Sequence, residues 1–245
     1  MTSVEQDQDK NAIRDRVWTL LERERAVPAG VHGRIPAFYG AEAAAGRLAE
    51  LCVWRNARVV KAVPDKAQLP ARARALSEDK LVYMAVPKLA DVQPFYLLDP
   101  ATLTVPPGEA ASSKVAASVA RKIDVEDMRP VDLILCGSVA VNRHGVRLGK
   151  GSGYSDIEFA LLQEAGLVGP NTTVVTTVHS LQVVDNELPE TEHDFSVDVI
   201  VTPEDVIECG PSRRPGGLIW EHLDQETIKA VPVLADRAGR ATRDS

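Results

Sequence analysis

Between Arg147 and Asp156 the chain reads Arg-Leu-Gly-Lys-Gly-Ser-Gly-Tyr-Ser-Asp. Gly149, Gly151 and Gly153 alternate with Lys150 and Ser152, so backbone N–H groups can approach a ligand closely with few side chains between. Ile157, Ala160, Leu161 and Ala165 follow at helical spacing, which predicts a helix starting near Ser155. The first turn of such a helix offers unpaired N–H groups and the positive end of its dipole, a favourable place for an anion. Arg147 and Lys150 add positive charge. The chemistry these residue types can do is the cradling of phosphate. The spacing is not that of the common cradles. Gly145 stands three residues before Gly149-Lys150 and Gly151 follows the lysine, which breaks the Walker pattern. Gly153 comes one residue too early after Gly149 and Gly151 for the dinucleotide fingerprint. By spacing alone, a flexible surface turn is an equal account.

Other reactive residue types are scattered. Lys10 and Arg14 lie four apart and so share one side of a helix, either as a solvated basic face or as a second anion contact. Asp156 sits where a carboxylate would cap the helix after the glycine loop. Glu187, Glu190 and Glu192 read as a solvated acidic loop. The five histidines show no His-Glu-x-x-His or other zinc spacing. Ser138 lacks the Gly-x-Ser-x-Gly context of a nucleophile elbow. Cys52, Cys136 and Cys209 are far apart, so neither a disulfide framework nor a cysteine metal site is expected.

Two segments together carry a family resemblance. Leu148 to Asp156 resembles the LGRGGGYYD-type signature of 5-formyltetrahydrofolate cyclo-ligases, also called methenyltetrahydrofolate synthetases. Leu188-Pro189, Glu192-His193-Asp194, Val197-Asp198 and Ile200-Val201-Thr202 resemble the family's second conserved segment. Further matches, at His32 to Pro36, Pro64-Asp65-Lys66, Gly137 to Val141 and Pro215 to Pro232, point to the branch of methenyltetrahydrofolate synthetase domain-containing proteins. The resemblance covers roughly Lys10 to Leu234. It implies a three-layer α/β/α sandwich with a mainly parallel sheet, of the kind shared with sugar-phosphate isomerases and coenzyme A transferases. It implies ATP-dependent closure of 5-formyltetrahydrofolate to 5,10-methenyltetrahydrofolate, with Mg²⁺ on the nucleotide. Lys10 and Arg14, with Arg147, Leu148, Gly149, Lys150, Gly151, Ser152, Gly153 and Tyr154, would hold ATP. Arg147, Lys150 and Tyr154 would act in catalysis, and Asp156 and Asp194 would hold the metal. The chain departs from the pattern at Ser155, where a second tyrosine is usual. It also lacks a clear match, in Ala62 to Gln68, for the glutamate that contacts folate. Two other readings therefore stand beside this one: an ATP-using relative with another small substrate, and a non-catalytic binding or regulatory module.

The elements that must position these residues follow from periodicity. Ile13, Val17, Leu20 and Leu21 make a helical stripe behind a polar tail of residues 1–9. Helices are also predicted over Ala41–Trp54, Pro70–Leu76, Ser112–Lys122 and Glu221–Ile228. Strands are predicted over Arg58–Val63, Leu81–Val86, Val131–Cys136, Val174–Val178 and Val197–Thr202, with Phe95–Leu98 as an edge strand between prolines. Strands separated by helical stretches imply βαβ units. One domain, residues 10–235, with a frayed tail at 236–245, accommodates the pattern. A net charge of −7 argues against a nucleic-acid partner. No apolar run approaches the ~20 residues of a membrane span, and the opening residues, MTSVEQDQDK, lack the apolar core expected of a signal peptide. Small-molecule partners and a cytoplasmic location are expected.

Overall fold

The computed structural model describes residues 3–210 and 212–241. Among these, the strands are β1 (Val59–Ala62), β2 (Leu81–Ala85), β3 (Phe95–Leu98), β4 (Arg121–Ile123), β5 (Val131–Cys136), β6 (Ala140–Asn142), β7 (Arg147–Leu148), β8 (Val168–Thr177), β9 (Val183–Val184), β10 (Val199–Val201) and β11 (Val206–Glu208). The helices are α1 (Ser3–Arg23), α2 (Ala41–Ala49), α3 (Cys52–Asn56), α4 (Leu69–Ser77), α5 (Pro107–Ala110), α6 (Ser113–Val119), α7 (Tyr154–Glu164), α8 (Gln225–Ala230) and α9 (Pro232–Ala241).

The apolar runs of β1, β2, β5, β8 and β10 are buried because they pair in parallel at the centre of one sheet, ordered β11-β10-β8-β5-β1-β2-β3-β4. Antiparallel β3, β4 and β11 close its two sides. Side chains alternate between faces along each strand. Val60, Ala62, Leu133, Leu135, Val175 and Val201 pack in one core with apolar residues of α1, α2 and α4. Val59, Ile134, Cys136, Val174 and Ile200 pack on the other side with Ile157, Leu161 and Leu162 of α7 and Val233 and Leu234 of α9. Helices thus flank a large, mostly parallel sheet. A small sheet ordered β7-β6-β9 stands beside it. No helix among the described residues is long and apolar enough to cross a membrane.

The central sheet reverses its order between β1 and β5: β2 lies on one side of β1, β5 and β8 on the other. In an open α/β sheet the crevice at such a point, beyond the carboxyl ends of the strands, receives ligands.

Several elements differ from their sequence expectation. The helix expected to reach Lys122 ends at Val119, and Arg121–Ile123 becomes β4, because Ile123 is needed against Phe95 in the core. β3 is therefore interior, and β4 forms the edge. The Ala41–Trp54 helix divides into α2 and α3 at Leu51, which is extended. The Glu221–Ile228 helix is displaced: Trp220–His222 is a 3₁₀ turn, and α8 starts at Gln225 because the Asp224 carboxylate accepts from the Thr227 N–H at 2.6 Å. Ser3 to Asp9, expected as a tail, are the opening turns of α1, and residues 236–241 are the rest of α9. Met1, Thr2 and residues 242–245 of the two expected tails lie outside the described residues.

Candidate active site

A cleft of about 310 Å³ opens at the reversal point of the sheet. Its walls bring together Lys10 and Arg14 of α1, the whole run from Arg147 to Tyr154, Asp156 of α7, and Asp194. Lys10 and Arg14 are more than a hundred positions away in the chain from the other residues of this set. What joins them is a set of hydrogen bonds between elements. The Lys10 ammonium donates to Asp194 at 2.6 Å, and the Arg14 guanidinium donates through Nε to the Gly149 carbonyl at 2.8 Å. Arg147 donates through Nη2 to Asp156 at 2.7 Å while its guanidinium lies 3.9 Å from the Phe195 ring centroid. Phe195 in turn stacks on Phe159 of α7 at 4.6 Å.

The glycine loop ends at Gly153, which caps α7 in a left-handed conformation at φ 68°. A glycine takes that conformation without strain, and α7 begins one residue ahead of the sequence expectation. Asp156 does not cap the helix, since no side chain does so. Its carboxylate turns to Arg147 instead. Burial pushes the Asp156 carboxyl up from the usual range; Arg147 opposes that shift, and nearby Asp194 adds to it. Asp194 goes the other way. Burial works to raise it, but the Lys10 bond and charge and the Thr191 N–H and hydroxyl together hold it below the usual carboxylate range. His193 exchanges a 3.0 Å hydrogen bond with the Thr191 hydroxyl, in keeping with a hydrogen-bonding role.

The structure adds residues that periodicity did not single out. Asp65 follows β1 directly and lines the cleft, so the segment without the usual glutamate does present a carboxylate there. Burial pushes its carboxyl up, against the fields of Lys150, Arg72 and Lys61. The buried Arg72 of α4 fixes this turn by donating to the carbonyls of Val63, Pro64 and Asp65. Burial pulls the Arg72 guanidinium down to about 10. Glu158 lines the floor of the cleft and is held by Lys61 of β1, both fully buried. One signal was available: Lys61 and Glu158 each interrupt an otherwise apolar run, Val59–Val63 and Ile157–Leu162. Lys88, at φ 60°, adds a cation from the end of β2. His32 and Arg34 do not line the cleft. Trp18 Nε1 donates to the Arg34 carbonyl at 2.9 Å, and Ile35 and Phe38 are buried beneath that loop.

The cleft thus carries lysines and arginines beside aspartates and a glutamate. Arg147 is buried and its Nε has no hydrogen-bond partner among the described residues. No group of three metal-ligating side chains is found among the described residues. Asp156 and Asp194 nonetheless fit Mg²⁺ carried by a polyphosphate, which takes one or two carboxylates and fills its other positions with phosphate oxygens and water. Their mutual repulsion is the kind a cation relieves.

A mostly parallel α/β sheet with a glycine-loop cleft at its reversal point defines an open α/β protein with its crevice at the carboxyl ends of the strands. The family is narrower: the chain belongs to the 5-formyltetrahydrofolate cyclo-ligase family, whose profile matches residues 6–203. It is similar to the methenyltetrahydrofolate synthase domain-containing protein of Mus musculus, with 37% identity over 238 residues, covering 92% of this chain and 62% of that protein. The Homo sapiens protein of the same name is 35% identical over 243 residues, covering 94% of this chain and 62% of its own length. The chain therefore spans about 62% of the length of these curated relatives. The solution structure of Aquifex aeolicus 5,10-methenyltetrahydrofolate synthetase shares the fold, with a TM-score of 0.53, 24% identity, and coverage of 83% of this chain and 94% of that one.

Proposed function

We propose that this chain closes 5-formyltetrahydrofolate to 5,10-methenyltetrahydrofolate at the expense of ATP, releasing ADP and phosphate. The observation that carries the reading is the convergence, in one cleft of a family member, of Lys10, Arg14, the Arg147–Tyr154 loop, Asp156 and Asp194. In this reaction the formyl oxygen attacks the γ-phosphorus of ATP and ADP leaves. N10 then attacks the activated carbon, loses its proton, and the phosphate departs with the formyl oxygen. Neither step needs a nucleophile from the protein; both need alignment and charge neutralisation.

The residues present suit that demand. Lys150 and Arg147 neutralise the transferring phosphoryl group, and loop N–H groups donate to it. Lys10 and Arg14 receive the remaining phosphates, already oriented by Asp194 and the Gly149 carbonyl. Tyr154 borders the same space. Asp156 and Asp194 would hold Mg²⁺, which supplies charge neutralisation on the polyphosphate when bound. Asp65 would face the folate, in place of the glutamate the family commonly has there. Three cysteines without a disulfide agree with a reducing compartment such as the cytoplasm.

The test is to mix the protein with 5-formyltetrahydrofolate and Mg-ATP and follow methenyltetrahydrofolate absorbance. A signal that requires ATP and disappears in Asp156→Ala is expected. Measurable ATP binding without that signal would overturn the folate assignment and favour another small substrate.

A further inference from the structure

The floor of the cleft holds an ion pair to which neither the phosphates nor the metal gives a role. Lys61 comes from β1 and Glu158 from α7, and the Lys61 ammonium donates to Glu158 Oε2. Lys61 is 2% exposed and Glu158 4%. Such a pair is weak support for the fold, because two apolar side chains of similar volume serve as well or better. Only one oxygen of the carboxylate is engaged. Among the described residues nothing donates to Oε1, and Oε1 is not one of the partnerless side-chain atoms sealed inside the protein. Glu158 lines the cleft, so this second oxygen opens onto it.

Oε1 does not join Asp156 as a metal ligand. Residues two apart on a helix do not face each other, and no group of three metal-ligating side chains occurs among the described residues. A phosphate is no better partner, since its charge repels a carboxylate oxygen. An acceptor in this position suits an N–H or O–H of a ligand. Its place in the cleft narrows the donor. Lys61 stands two residues before Val63, where the wall of Val63, Pro64 and Asp65 begins, and Glu158 stands two residues after Asp156, beyond the glycine loop. The charges of Asp65 and of Arg147 both reach the Glu158 carboxyl. The pair therefore lies where the two walls meet.

We infer that Glu158 Oε1 accepts a hydrogen bond from N10–H of 5-formyltetrahydrofolate, with Lys61 as the positioning residue that fixes the carboxylate. The inference rests on the ring closure proposed above. In that reaction the phosphoryl group lies with the glycine loop and the folate with Asp65. The formyl carbon and N10 meet between them, over Glu158. N10 carries one N–H and one lone pair, so holding the N–H toward the floor leaves the lone pair for the formyl carbon. Lys61 and Glu158 together carry no net charge, and the pair supplies this acceptor with little repulsion of the phosphates alongside.

The test titrates two ligands by calorimetry, with Mg²⁺ and a non-hydrolysable ATP analogue present: 5-formyltetrahydrofolate, and its 10-deaza analogue, in which a CH₂ replaces N10–H. Wild type should bind the first about 10- to 100-fold more tightly, the scale of one hydrogen bond to a charged group. Lys61→Met/Glu158→Leu removes both charges together and so leaves no lone ion in the floor. It should bind the two ligands equally, with its affinity for the ATP analogue unchanged. Glu158→Gln is the second variant. Its amide oxygen stays available to Lys61 and its NH₂ is left for the cleft, where it opposes N10–H, so the preference should again be lost. A merely structural role would weaken both ligands together and keep their ratio. A ratio preserved in both variants, or a wild type without preference, would overturn the assignment while the ring-closure reading stands. A wild type that binds the ATP analogue and neither folate would overturn that reading, and the assignment with it.

Discussion

Lys150 and Arg147 occupy the same loop in opposite ways. Arg147 is buried, bonded to Asp156 and stacked on Phe195, so its position is built into the fold. Lys150 is exposed on the cleft wall, and no hydrogen bond or ion pair engages its ammonium among the described residues. A cation in that state costs the fold nothing to remove and is free to follow a phosphoryl group. Lys150→Ala should therefore lower kcat by about 10²-fold or more, the loss typical of one electrostatic stabiliser, with the melting temperature unchanged. Steady-state kinetics beside a thermal melt check this, and unaltered kcat would remove Lys150 from the mechanism. Lys61 gives the contrary case. Its ammonium and the Glu158 carboxylate are both fully buried under the cleft. Lys61→Met would leave a buried carboxylate without its partner, which costs about 3–5 kcal/mol. Adding Glu158→Leu should restore most of that stability in denaturant titrations, because an apolar pair of similar volume avoids the desolvation penalty.

At the scale of elements, the hairpin β6–β7 is the part that aims the site. Its turn reaches Gly145, whose carbonyl accepts from the Val197 N–H at 2.8 Å. That contact fastens the strand carrying Arg147 to the segment running from Asp194 to β10. Gly145 stands at φ 85°, and a Cβ there would lie 2.2 Å from the Val197 carbonyl oxygen. Neither the conformation nor the approach tolerates a side chain. Gly145→Ala should cost roughly 2 kcal/mol or more and weaken ATP binding as well, because Arg147 and Asp194 lose their common anchor. A melt and a calorimetric titration on the same sample distinguish this from a purely local strain, which would leave ATP affinity intact.

At the scale of the molecule, α1 closes over the cleft through residues 184 positions apart, Lys10 and Asp194. The Asp194 carboxyl is held below its usual range in the folded state. A group so depressed adds stability above its unfolded value, roughly 3.9, and that stability is lost as pH falls through the lower folded value. Asp156 and Glu158 are shifted upward by burial and act in the opposite sense. Melts between pH 3 and pH 7 should show Asp194→Asn less stable than wild type at neutral pH. The two curves should converge at the acid end, and a constant gap across the range would refute this account of α1 docking.

Much of this was legible in the chain itself. The apolar runs of the central strands, the helical stripe of α1 and the glycine loop before α7 follow from local residue order, because periodicity and backbone sterics act over a few positions. Motif resemblance gave Lys10, Arg14, Asp156 and Asp194 as a set. What local order could not supply was anything decided by long-range pairing. β4 exists because Ile123 completes the core against Phe95. Asp156 turns from its helix cap to Arg147 because β7 delivers a buried guanidinium beside it. Asp65, Lys88 and Glu158 enter the cleft because the sheet reverses its order between β1 and β5, which opens a crevice where strands distant in sequence end together. Residue types and spacing determined which chemistry was available; the crossing of the chain through the sheet decided which side chains share one space, since burial and ion pairing depend on neighbours that sequence order does not specify.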